Sequence, residues 1–304
     1  MRTQLRDLEY FAAIVEHGQV QRAAAALGLS QPALSKSLRR LEQGMNAALL
    51  KRTPKGVELT RVGSALLARV SRLRLSLDDV TREIADLSEG RAGHLHIGMA
   101  AALAHVVPMV CTALLEEGSR LTLKLTTGDH PTLVASLRNG ALDVAVSGTS
   151  DPRQEDLIEV RLYDEESAIY ASANNRLAKR RQLTLADLAH ERWALPSLNR
   201  WTGRILTEAF GAVGLPPPKL AVETTSEMAK FQLVATSDLL TFGSKLVAEH
   251  AAGHLGIVEL RVKGLSGSRR VGVRYRKDAY LPPAAFRFIE ILKSSLAISP
   301  KKNR

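Results

Sequence analysis

The chain has 304 residues, 45% of them hydrophobic, which is enough to bury two or three packed cores. Its formal net charge of +11 favours an anionic partner, with nucleic acid the first candidate. The single cysteine, Cys111, excludes an intramolecular disulfide and a thiolate zinc cluster and suits a reducing cytoplasm; there is no apolar run of membrane-spanning length, and no signal-peptide pattern opens the chain.

Residues 1–91 hold 15 basic and 10 acidic side chains, so the positive charge is shared with the rest of the chain rather than confined to one end. A first helix is expected over residues 3–17, with Leu5, Leu8, Phe11, Ala12 and Val15 at helical spacing and Gly18 ending it. Residues 21–42 read as two short helices joined by a tight turn. Ala23–Ala26 keep the first helix small where a partner must approach, and Gly28 allows a positive φ. Ser30 can cap the second helix, and Pro32 falls in its first turn, where the missing N–H costs little. Ala33, Leu34, Leu38 and Leu41 form the expected buried stripe. Gln31, Ser35, Lys36, Arg39 and Arg40 then face outward, as a helix entering a DNA major groove requires.

Residues 50–52 and 57–59 are expected as two short extended pieces around the turn Thr53-Pro54-Lys55-Gly56, a basic wing. The DNA-facing set is Arg22, Ser30, Gln31, Pro32, Ser35, Lys36, Arg39, Arg40, Arg52 and Lys55. Within it, Gln31, Ser35, Lys36 and Arg39 suit base edges, and Arg22, Arg40, Arg52 and Lys55 suit phosphates. Thr60 can cap a long helix over 61–88. Its Leu66, Val70, Leu73, Leu77, Val80, Ile84 and Leu87 recur with a 3.5-residue period, which predicts dimerisation through this helix. Residues 88–93 read as a hinge.

Beyond Gly93 strands alternate with helices, which predicts a parallel sheet. Strands are expected at 94–98, 121–126, 142–146, from 167 to 171, 193–195, 220–223, 239–242, 257–260 and 269–275. Helices are expected at 103–115, 132–138, 201–212, 226–235 and 284–296.

The order Phe11, Ala23-Ala24, Leu27, Ser30-Gln31-Pro32-Ala33-Leu34-Ser35, Leu38, Leu41-Glu42, Leu49, Arg52, Leu59-Thr60 and Gly63 resembles the LysR-type transcriptional regulators. So do Leu95-His96-Ile97-Gly98, the Gly140-Ala141-Leu142-Asp143 segment and Trp193-Ala194-Leu195-Pro196, so the likeness runs along essentially the whole chain. The resemblance implies a winged helix-turn-helix at 1–60, a coiled-coil dimerisation helix at 61–91 and an α/β effector-binding domain at 92–304. That last domain would have a periplasmic-binding-protein-like fold. Its lobe one would be 92–162 with 267–304 and its lobe two 163–266, the chain crossing near Tyr163 and Ser266. The resemblance further implies a tetramer that contacts promoter DNA and RNA polymerase and senses a small molecule. The chain departs from the family in four places: Gln19 and Gln21 replace small hydroxyl residues, Asn46 replaces a glycine, Leu50 replaces a frequent Phe, and Ala100-Ala101-Ala102 lacks the hydroxyl that helps hold an effector carboxylate.

Ligands of such a domain sit where strand ends run into helix N-termini, which favour small anions. The expected effector contacts are Ala101, Ala102, Thr127, Ser147, Ser197, Asn199, Trp201, Thr225 and Ser226, and the expected effector is a carboxylate or sugar acid. Phe231 and Phe242 read as core. His250 and His254 have metal-like spacing but lack the intervening Glu, so neither a metal nor another cofactor is expected. No phosphate loop, dinucleotide motif or complete nucleophile elbow occurs, which argues against an enzyme. An architectural DNA binder without a ligand remains the alternative that the alanines at 100–102 keep open.

Overall fold

The computed structural model describes residues 4–54, 56–89, 93–104, 106–118, 120–149, 153–265 and 267–297. The expectations for Lys55, for the hinge residues 90–92 and for the crossing at Ser266 lie outside the described residues. The chain forms two compact units, Met1–Ala85 and Asp86–Arg304.

The first unit begins with three helices, α1 (Leu5–His17), α2 (Val20–Ala26) and α3 (Gln31–Met45). Gly18 and Gly28 adopt positive φ at the ends of α1 and α2, and Asn46 takes the left-handed conformation (φ 49°) that ends α3. Ser30 caps α3, its hydroxyl accepting from Ala33 N at 3.4 Å. The core joins Phe11, Ile14, Ala23, Ala24, Leu34, Leu41 and Leu49, all nearly inaccessible. A hairpin of β1 (Leu50–Thr53) and β2 (Gly56–Leu59) follows, tied down by Val57 N donating to Gly18 O at 2.9 Å.

The buried stripe of α3 differs from expectation at two places. Ala33 is exposed and Ser37 is buried. The cause is Asp7 of α1, which is 2% exposed and accepts from the Ser37 hydroxyl and from Arg40 Nε at 2.9 Å. Arg40 also bridges Asp7 through its terminal nitrogen. A carboxylate inside a small helical core needs such partners, and they draw the polar edge of α3 inward.

Helix α4 (Arg61–Glu89) is capped by Thr60, whose hydroxyl accepts from Gly63 N at 2.9 Å. Leu66 and Leu67 pack on the first unit's core, whereas Leu73, Leu77, Val80, Ile84 and Leu87 are 40–74% exposed.

The second unit contains a curled seven-stranded sheet: β3 (His94–Met99), β4 (Thr122–Thr127), β5 (Val144–Thr149), β6 (Leu157–Ser172), β9 (Thr241–Ser244), β10 (Ile257–Leu260) and β11 (Gly267–Arg276). A two-stranded parallel piece, β7 (Arg192–Leu195) with β8 (Lys219–Glu223), completes it. The sheet is mixed rather than parallel. β3 runs parallel to β4 and β5, but β11 is antiparallel to both β5 and β6. The reason is that β11 carries the chain back against the direction of β6, which itself spans two cores. Val160, Leu162 and Tyr163 of β6 pack on one core, with Leu95, Ile97, Val146 and Phe288. Ile169 and Ala171 belong to another, with Trp193, Phe210 and Phe242. Cys111 lies in the first core, and burial pushes its thiol up to about 11.

Several boundaries move. The first half of β6 was not expected as strand, because Glu159, Arg161, Asp164, Glu165 and Glu166 look like a loop. Four of these have salt bridges inside the sheet: Glu159 with Arg274, Arg161 with Asp164, and Glu165 with Arg269. The helix expected from Leu103 starts as a short 3-10 turn (Ala101–Leu103), and α5 (Val107–Glu117) begins only where Pro108 can occupy its first turn. The remaining helices are α6 (His130–Arg138), α7 (Trp201–Ala212), α8 (Glu227–Ala235), α9 (Lys245–Leu255) and α10 (Pro283–Ala297).

The Arg40 hydrogen bond, against the cost of burial and with help from Ser37, holds the Asp7 carboxyl below its usual range. Its contribution is therefore complete above the unfolded carboxyl value, about pH 4, and is lost as pH falls through the lowered folded value. Asp7→Asn should destabilise the first unit by about 2 kcal/mol at neutral pH, and the gap to the parent should narrow in acid. Hydrogen exchange of α3 amides across a pH series checks both statements.

Candidate DNA-binding and effector surfaces

The exposed side of α3 carries Gln31, Pro32, Lys36 and Arg39, with Ser35 half-buried among them. Arg22 is exposed on α2, and Arg52 is exposed on β1. Arg40 is exposed too, but two of its guanidinium nitrogens are committed to Asp7. Lys51, beside Arg52 on the same strand and also exposed, was missed from the sequence. The signal was its place in a short basic strand preceding a turn.

In the second unit the expected effector residues fall into two groups. Thr127, Asn199, Thr225 and Ser226 are exposed, and Ala101, Ser197 and Trp201 are half-buried. Ser226 caps α8, accepting from Ala229 N at 3.2 Å, and Ser197 accepts from Asn199 N at 3.3 Å. Gly203 lets α7 approach this loop, since a Cβ there would collide with the Ser197 carbonyl. Ala102 and Ser147 do not line an open surface. Ala102 is 7% exposed and packs into an apolar cluster with Ala168, Tyr170, Phe231 and Val234. Ser147 is 1% exposed because β5 continues through Ser147, Gly148 and Thr149 instead of ending at Val146. Its side chain meets His130 Nδ1 at 3.0 Å and accepts from Arg274 Nη1 at 3.1 Å.

Three charged groups join these stretches: Asp129 and Arg200, which lie within stretches the sequence already points to, and Arg269, which it does not. Asp129 caps α6, accepting from Thr132 N at 2.9 Å, and its other oxygen pairs with Arg200, the residue before α7. Burial raises the Asp129 pKa, but Thr132 and Arg200 outweigh it and hold it low. Arg269 pairs with Glu165 and lies 4.7 Å above the Trp201 ring, which itself stacks on Phe242. Arg269 also covers Gly148, where a Cβ would collide with its guanidinium. Its partner lies 104 residues away in sequence, so no local pattern announces it. Among the described residues no cluster of three or more metal-ligating side chains occurs, and no helix is long and apolar enough to cross a membrane.

A winged helix-turn-helix ahead of a two-lobed α/β domain defines a DNA-binding regulator with a ligand-binding domain. The LysR substrate binding domain profile matches residues 88–297, and that of the bacterial regulatory helix-turn-helix proteins of the lysR family matches residues 5–64. The regulator GbpR of Azospirillum brasilense is 28% identical over 300 residues, covering 97% of this chain and 87% of its own. The SDS degradation transcriptional activation protein of a Pseudomonas strain is 33% identical over 288 residues, covering 92% of each. Full-length CbnR crystallised with its target DNA superposes at a TM-score of 0.63 with 24% identity, covering 96% of this chain and 99% of its own. The chain belongs to the LysR family: it is a DNA-binding transcriptional regulator with a substrate-binding domain for an effector.

Asp129→Ala removes both the α6 cap and the ion pair, whereas Asp129→Asn keeps the cap. The alanine variant should therefore exchange the Thr132 and Leu133 amides faster, by about the 1 kcal/mol that a cap contributes, with asparagine close to the parent. Residue-resolved amide exchange reads this directly.

Proposed function

We propose that the chain binds promoter DNA as a dimer and that a small anionic metabolite, a carboxylate or sugar acid, controls that binding from the cleft between its two α/β lobes. The observation that carries the DNA half is the outward face of α3, where Gln31, Lys36 and Arg39 project beside Arg22 and the Arg52 wing. Amide and basic groups on one exposed helix face match the hydrogen-bonding edges of a major groove, and the flanking arginines match phosphates. Arg40 serves the fold first, through Asp7, and reaches phosphate only with the one nitrogen left over.

The apolar residues of α4 from Leu73 onward support self-association. A stripe this exposed on a 29-residue helix costs solubility unless a second copy covers it. Assembly into a tetramer and contact with RNA polymerase belong to the same reading.

The effector half rests on Arg200 and Arg269. Each already holds an internal carboxylate, Asp129 and Glu165 respectively. An entering carboxylate exchanges with Asp129 for Arg200, and the exposed hydroxyls of Thr225 and Ser226 lie on the same domain to receive its polar groups. Ala102, buried in an apolar cluster, takes no part in polar recognition. Its burial is also the observation that favours the architectural alternative.

Arg52→Ala should lower the slope of log affinity against log salt by about one unit for specific and non-specific DNA alike. Gln31→Ala should weaken operator binding by about 1–3 kcal/mol while leaving non-specific binding nearly unchanged. Fluorescence titrations at several salt concentrations measure both. A thermal-shift screen of small carboxylates and sugar acids tests sensing. At least one should raise the melting temperature, and more so for Asp129→Asn, in which the internal competitor is neutral. A complete blank would establish the architectural reading instead.

A further inference from the structure

A cavity of about 580 Å³ opens in the second unit where β10 leaves the side of β6 and β11 takes its place. It is not the Trp201–Arg269 site. Successive rungs of an antiparallel ladder point to opposite faces. The rung Arg269–Glu165 faces Trp201, whereas the next rung, Ser268–Glu166, lines this cavity.

The wall of the cavity is charged, and its charges are unevenly matched. Its two carboxylates, Glu166 and Glu259, share Lys245, whose Nζ lies 3.2 Å from the first and 3.7 Å from the second. Arg181, Arg261 and Lys263 also line it, and their side chains have no ion-pair or hydrogen-bond partner among the described residues. Arg261 and Lys263 are held by backbone pairing. Leu183 N donates to Arg261 O at 3.1 Å, Lys263 N donates to Leu183 O at 2.8 Å, and Leu183 bridges Val262 in parallel. Leu183 is 1% exposed and anchors that clamp in the core. Arg261 and Lys263, two apart on an extended segment, therefore project together. Leu260 and Leu265 give the cavity an apolar part.

We propose that this cavity is a second ligand site, separate from the effector cleft, that binds a small phosphorylated molecule. Its volume lies in the range of small-molecule pockets. Two guanidinium forks and an ammonium group, all unpaired, form a donor set suited to adjacent phosphate groups. The site stands whether or not the cleft binds a carboxylate, since the two share no side chain.

Calorimetric titration of the full-length protein with inorganic pyrophosphate, at constant ionic strength, tests it. Saturable binding at one equivalent per chain is expected, weakened at least about tenfold by the double variant Arg261→Gln, Lys263→Gln. Because these side chains are exposed, the variant should keep the parent's melting temperature and operator affinity. Arg52→Ala and Arg200→Gln should leave pyrophosphate binding unchanged, which separates this site from the DNA surface and from the cleft. Citrate should bind more weakly than pyrophosphate. Absence of saturable binding, indifference to the double variant, loss of the signal in Arg52→Ala or Arg200→Gln, or tighter binding of citrate would each overturn the proposal.

Discussion

The effector domain depends on one antiparallel pair, β6 against β11. β6 contributes side chains to both cores and β11 pairs along much of its length, adding Val271 and Val273 to the first core. They are also unusually charged for strands so deep in a domain. Glu159 meets Arg274, and Glu165 meets Arg269, with Glu165 3% and Arg274 3% exposed. Buried charges persist only where each has a partner. Those pairings then set the neighbours: Arg274 fixes Ser147, and Arg269 fixes the ring of Trp201 over Phe242. The geometry of the candidate cleft is thus inherited from the rungs of the ladder beneath it.

What the sequence made legible follows from the range of the interactions. The helix-turn-helix could be read because its determinants are local: the Ser30 cap, the left-handed glycine at 28, and the apolar spacing through Leu34 and Leu41. The same holds for the left-handed turn at Asn46. Ala33 and Ser37 changed places in burial because Asp7, on another helix, supplies the deciding contact. The charged half of β6 escaped notice for the same reason at larger scale, since Glu159 and Glu165 find their partners on β11, about a hundred residues downstream. Ser147 was assigned to a loop because the apolar run ends at Val146, but strand pairing with β11 carries β5 through Thr149.

The cleft residues show a consistent electrostatic logic. Its two cations are each neutralised from within, Arg200 by Asp129 and Arg269 by Glu165. A site that keeps its own counter-charges does not gather every passing anion. A ligand entering the proposed cleft would have to displace an internal carboxylate that already has favourable geometry. Ala102, buried in an apolar cluster, offers no hydroxyl to such a ligand.

The exposed stripe on α4 has a geometric consequence for the first unit. Its 3.5-residue period falls short of the 3.6 of a straight helix, a drift of about 20° in each heptad. Two copies that keep the stripe in register must coil about one another with a left hand. In such a pair the coil would begin beyond Val70, because Leu66 and Leu67 pack on the winged unit's own core. The DNA-reading unit is fastened to its helix through Leu66 and Leu67, which pack on its core, and through the buried Val70.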